Sequence, residues 1–115
     1  MNPDVVREIL LALPGVEEGP CYGTPGFRVR GKFLARLRED GDSLVVKVPF
    51  EERAFLLQSE PDTFYITEHY RSYPAVLVRL SRVERTALAE LLEDAWKAAA
   101  PKRLSAAHEA GPPTG

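Results

Sequence analysis

Cysteine is almost absent from this chain. Cys21 stands alone, which excludes an internal disulfide and points to a reducing compartment, so a cytoplasmic protein is expected. Histidine occurs only at His69 and His108, and no Cys/His spacing suits zinc. No apolar run approaches the roughly 20 residues of a membrane span. The N-terminal residues Met1, Asn2, Pro3 and Asp4 lack the cationic and apolar regions of a signal peptide, so no membrane contact is expected. Positive charge is not in excess either. Lys and Arg number 15 against 17 Asp and Glu, the net charge is −2, and the pI of about 5.7 lies below the range of dedicated nucleic-acid binders. Internal repeats are missing. Gly15, Gly19, Gly23, Gly26 and Gly31 have no Gly-Lys-Ser/Thr ending, so they form no phosphate loop, and no cofactor is expected.

What the chain does have is a length of 115 residues, enough for one domain with a real core. Asn2 can cap a first helix, with Pro3 at its first position and Asp4 at the positive end of its dipole. Val5, Val6, Ile9, Leu10 and Leu13 make its apolar stripe, and Pro14-Gly15 stops it. The Gly/Pro punctuation of residues 14 to 26 reads as loop. A strand from Ser43 to Val48 would bury Leu44, Val46 and Val48. Pro49 opens a short helix with Phe50, Ala54 and Leu57 at helical spacing. Thr63 to Thr67 and Ala75 to Leu80 read as strands, with a polar, aromatic loop between them. Ser81 to Glu84 matches a capping box before a stripe at Val83, Ala87, Leu88, Leu91, Leu92 and Ala95. A domain over residues 1–104 and a frayed tail over 105–115 are expected. The element order predicts a two-layer α+β fold, an antiparallel sheet with the N- and C-terminal helices packed on one face. Val5, Ile9, Phe33, Leu44, Val46, Leu88, Leu91 and Leu92 are expected to share one core.

The most informative stretch runs from Phe27 to Arg38. Apolar side chains at Phe27, Val29, Phe33, Ala35 and Leu37 alternate with cations at Arg28, Arg30, Lys32, Arg36 and Arg38. This is the period of strands with one dry and one wet face, interrupted at Gly31 where a turn falls. A two-residue turn would pair Val29 with Lys32 and mix the faces. A three-residue loop over Arg30, Gly31 and Lys32 would keep them clean, and so would a bulge. The resulting ribbon of cations suits a polyanion. It equally suits a sheet face kept soluble and protected at its edge.

Leu13 to Glu17, Tyr22 to Phe33, Phe64 to Pro74, Val76 to Leu80 and Ala95 to Leu104 together resemble the MmcQ/YjbR-like proteins, over roughly residues 5 to 104. The resemblance implies a fold like that of the bacterial frataxin homologue, with terminal helices on an antiparallel sheet. It also implies DNA binding, for which a "double wing" is the proposed element. Many relatives carry Asn-Lys and a Trp before the last strand, where this chain has Arg71 and Tyr73.

Enzyme chemistry has few candidates. Cys21 and His69 could meet as nucleophile and base, but no helix N-terminus follows Cys21 to activate its thiol, so an inert cysteine is expected. Asp4, Glu8, Glu17 and Glu18 are too sparse for a hard-cation site, and no metal is expected. Tyr65, His69, Tyr70, Arg71 and Tyr73 form one aromatic and basic cluster. It could stack on bases or hold a planar ligand, or it could simply close the sheet end with hydroxyls in water. The expectation is therefore a non-enzymatic DNA-binding protein. Arg28, Arg30, Lys32, Arg36 and Arg38 would meet phosphates without sequence readout, and Tyr70, Arg71 and Tyr73 would meet bases or sugars. The alternative is a module that binds a protein partner or small ligand through the open sheet face and the Tyr-rich loop 65–74.

Overall fold

A computed structural model of the protein describes residues 1–104 and Ala106. The expected tail at 105–115 otherwise lies outside the described residues. The first helix, α1 (Pro3–Leu11), starts as its sequence dictates: the Asn2 side chain accepts from the Val5 amide at 3.0 Å, and Pro3 sits in the first turn. Such a cap is worth about 1 kcal/mol. Three strands follow without a helix between them, β1 (Val16–Cys21), β2 (Thr24–Val29) and β3 (Lys32–Leu37), and then β4 (Ser43–Lys47). Next come α2 (Phe50–Ser59), the short β5 (Phe64–Tyr65), a single 3₁₀ turn at Glu68–Tyr70, β6 (Ala75–Arg79) and α3 (Arg85–Ala99). All strand pairs are antiparallel, in the order β1-β2-β3-β4-β6-β5.

β1 corrects the reading of residues 14 to 26 as loop. Gly19 and Pro20 are tolerated because β1 is an edge strand, where a missing amide donor breaks no ladder. Two tight turns shape this end of the sheet. Tyr22-Gly23 joins β1 to β2 and Arg30-Gly31 joins β2 to β3, each with both residues at positive φ (51° and 82°, 50° and 80°). That is the hairpin geometry in which glycine is favoured because it has no Cβ to clash.

The β2–β3 turn is the two-residue form, so Val29 does pair with Lys32. A bulge then restores the faces: Arg28 opposes Phe33 while Phe27 opposes Ala35, which leaves Leu34 as the extra residue. Leu34 and Ala35 both enter the main core. The two-residue turn leaves Phe33 opposite Arg28 on the other face, where it packs beside Val45, Ala75 and Leu77, and it is not the core residue the alternation suggested.

α1 and α3 cover one face of the sheet and bury the main core. Val6, Leu10, Val29, Leu34, Leu44, Leu88, Leu92 and Trp96 are fully buried there. Each such Leu or Val contributes about 1.5–3 kcal/mol by leaving water. Val5 and Ile9 are only half-buried. Trp96 Nε1 donates to the Pro14 carbonyl at 2.8 Å and ties α3 to the α1–β1 connection. The capping box at Ser81 does not form, because Ser81 donates to Asp42 through both its amide and its hydroxyl. α3 begins instead after Glu84, which makes no side-chain cap. In α2 the expected stripe is rotated: Leu56 and Leu57 reach the core, while Phe50 and Ala54 are exposed. No helix among the described residues is long and apolar enough to cross a membrane.

Candidate functional site

The sheet face away from α1 and α3 is the interesting one. Arg28 and Phe33, Gly26 and Arg36, Val45 and Leu77, and Lys47 and Ala75 pair across the strands, so each pair shares this face. The 3₁₀ turn and the residues after it arch over part of it. Between them lies a cleft of about 440 Å³, lined by Cys21, Tyr22, Arg28, Phe33, Arg36, Val45, Lys47, His69, Tyr70, Tyr73, Pro74 and Ala75. Three of these are cations, four carry aromatic six-membered or imidazole rings on the 22 and 69–73 segments, and none is a carboxylate.

Two buried guanidiniums build the cleft. Arg53, on α2, is 9 % exposed. Its Nη1 donates to the carbonyls of Tyr70, Tyr73 and Ala75 at 2.9, 2.7 and 3.1 Å, and its Nη2 to that of Arg71 at 3.0 Å. One side chain thus fixes the path of the whole arch. Charge-assisted bonds of this kind are worth about 1.5–3 kcal/mol each in isolation. Arg36 forms the floor. It is 8 % exposed and donates to the Cys21 carbonyl, the Tyr70 hydroxyl and Glu39. Its guanidinium lies 5.4 Å from the centroid of the Tyr22 ring, in cation–π range.

The cations of the hairpin therefore do not form one ribbon in water. Arg28 and Arg36 face the cleft, but Arg36 is buried and committed to protein partners. Arg30 sits at the turn tip, and Lys32 pairs with Val29, the phase that faces the helices. Arg38 lies beside the Asp40 turn. Burial on its own would raise the Asp40 carboxyl, but the Ser43 hydroxyl, the amides of Asp42 and Ser43, and the Arg38 charge outweigh it and hold the carboxyl below the usual aspartate value. Arg71 is exposed and pairs with Glu68 at 3.5 Å, away from the cleft lining.

Of the residues expected from sequence to meet DNA, the fold brings together Arg28, Arg36, Tyr70 and Tyr73. Sequence reasoning missed Tyr22, Lys47 and Arg53. An aromatic residue followed by glycine at a tight two-residue turn is the signal that could have found Tyr22. Tyr22 is 88 % exposed and Tyr73 57 %, whereas the hydroxyls of Tyr65 and Tyr70 are engaged by Ser43 and Arg36. No ion pair engages Arg28 or Lys47 among the described residues. Cys21 and His69 both line the cleft, but no hydrogen bond joins them, and Cys21 is buried. Among the described residues no group of three or more His, Cys, Asp or Glu side chains is placed to hold a metal ion. His108 lies outside the described residues.

The fold and sequence have counterparts. Uncharacterised proteins of Mycobacterium bovis and Mycobacterium tuberculosis are 45 % identical over 65 residues, which is 56 % of this chain and 50 % of theirs. The chain thus matches about half the length of these relatives. A Deinococcus radiodurans protein with a DUF419 domain has a crystal structure that superposes with a TM-score of 0.73, at 24 % identity, covering 84 % of this chain and 77 % of that one. That likeness is one of fold. The YjbR family model matches residues 11–98, and the chain belongs to the YjbR family.

Proposed function

We propose that this protein is a non-enzymatic nucleic-acid-binding protein that uses the cleft face of its sheet. The observation that carries this reading is the cleft lining, which combines Arg28, Arg36 and Lys47 with exposed aromatic rings and contains no carboxylate. Cations supply the phosphate contacts and rings supply stacking. The basis is local, because the chain as a whole carries a net charge of −2. Arg28 and Lys47, whose side chains have no ion-pair partner among the described residues, are the phosphate contacts. Arg36 shapes the floor and adds field.

A salt titration of oligonucleotide binding tests this. Arg28→Ala with Lys47→Ala is expected to weaken binding and flatten the log–log salt slope by about two phosphate contacts. Replacing Arg30, Lys32 and Arg38 with Ala is expected to do less. The opposite ranking would return the activity to the hairpin, and no binding by the parent at about 50 mM salt would end the nucleic-acid reading. The second reading is a small-ligand site. The cleft volume of about 440 Å³ supports it, since it lies within the range of small-molecule pockets, about 300–1,000 Å³.

A further inference from the structure

We infer that the cleft seats one unpaired nucleotide of a single strand, with its base stacked on Tyr22 or Tyr73 and its phosphate held by Arg28 or Lys47. This rests on the nucleic-acid reading and narrows it to single strands. Several features lead here. The described helices offer no groove reader: α1 and α3 turn their apolar stripes into the core, and α2 opens with Glu51 and Glu52. Its exposed hairpin cations diverge, so no flat ribbon follows a duplex backbone. What remains is concave and about one nucleotide in scale, with rings at its rim.

Tyr22 points the same way. It occupies a turn position at φ 51°, where Asn, Asp or Gly is preferred and a bulky ring is a poor choice for the backbone. The ring is nonetheless 88 % exposed, so it is not there to fill the core. It stands at the cleft, above Arg36. A position unfavourable for folding that presents an aromatic face beside cations is a candidate for binding. Bases in a duplex have no free face to offer such a ring, and an unpaired base does.

The test compares four probes by fluorescence anisotropy in one low-salt buffer: a mixed-sequence single strand, its duplex, an abasic strand of equal length, and a nucleoside monophosphate as competitor. The single strand is expected to bind at least about tenfold more tightly than the duplex or the abasic strand. Tyr73→Ala and Tyr22→Asn are each expected to weaken single-strand binding by about 5- to 150-fold, the range of one lost base stack. Neither should change abasic-strand binding. Tyr22→Asn suits the positive φ of the turn, so its Tm should not fall below the parent's, which separates lost binding from lost folding. If all three strands bind alike and the tyrosine variants change nothing, the base seat is wrong while nucleic-acid binding stands. If no strand binds, both readings fail. A monophosphate that still raises the protein's Tm when no strand binds would leave the cleft to the small-ligand reading alone.

Discussion

The two faces of the sheet are held by different chemistry. On the helix side, Val6, Leu10, Leu92 and Trp96 are fully buried and the layer is almost wholly apolar. On the cleft side, the buried apolar cluster among the described residues is Val45, Ala75 and Leu77, with Phe33, Tyr65 and Tyr70 half-buried against it. Order there comes from Arg36 and Arg53, whose donors reach the backbone of Cys21 and of residues 70–75. Apolar burial is non-directional, so it closes space wherever side chains fit. Hydrogen bonds from a planar guanidinium are directional, so they can hold an arch in place without filling the space beneath it. The cleft survives because its walls are tethered rather than packed.

The largest effect should follow from opening the packed face. Leu92→Ala is expected to lose about 2–5 kcal/mol in denaturant unfolding, since it leaves a cavity under both terminal helices. A loss near zero would mean that the helix layer does not carry the stability. Next comes the tether. Arg53→Met keeps the volume but orphans several carbonyls, and about 2 kcal/mol or more should be lost. Amide exchange should speed up across residues 70–75 before the rest of the sheet. Exchange that rises evenly over the molecule would show that Arg53 is merely part of the core.

A smaller effect tests the turn that leads into β4. The Asp40 carboxyl is held below its ordinary value in the fold, so its contribution is present above the unfolded value and is lost as pH falls through the folded one. Asp40→Asn should therefore lower Tm at neutral pH, with the gap to the parent closing below about pH 4. A gap that persists in acid would assign the effect to geometry instead of charge. The smallest effect belongs to the outer cations. Arg30→Ala together with Lys32→Ala should shift stability by no more than about 0.5 kcal/mol per site, because both side chains stand in water. A larger loss would give the hairpin tip a structural duty.

Much of the helix side was legible in the sequence. Asn2 with Pro3 marks the start of α1, and the stripe through Leu88, Leu91 and Leu92 sets the phase of α3, because both signals are local. The α+β architecture follows from the element order. β1 was hidden because glycine and proline dominate residues 15 to 26, and only pairing with β2 reveals that they lie on a tolerant edge. Phe33 was misplaced because the turn that sets it opposite Arg28 is decided by the pairing of two strands, while alternation is read from one. Half the site was legible for a similar reason. Arg28, Arg36, Tyr70 and Tyr73 announce themselves by residue type. Arg53 sits in an unremarkable helix, and its partners are backbone carbonyls of a distant segment, which carry no side-chain signature.

The bulge at Leu34 has a consequence for how such a cleft can change over generations. The two-residue turn sets Phe33 opposite Arg28, and the one residue of slack then decides whether Arg36 furnishes the cleft or the core, since a strand shifted by one position presents its opposite side. Loss of the Lys32 or Phe33 codon would absorb the bulge and set Leu34 opposite Arg28 in the cleft wall, whereas loss of the Leu34 codon would leave that wall as it is. Relatives that lack either of those two residues should therefore share the helix layer and differ in the wall that faces Arg28.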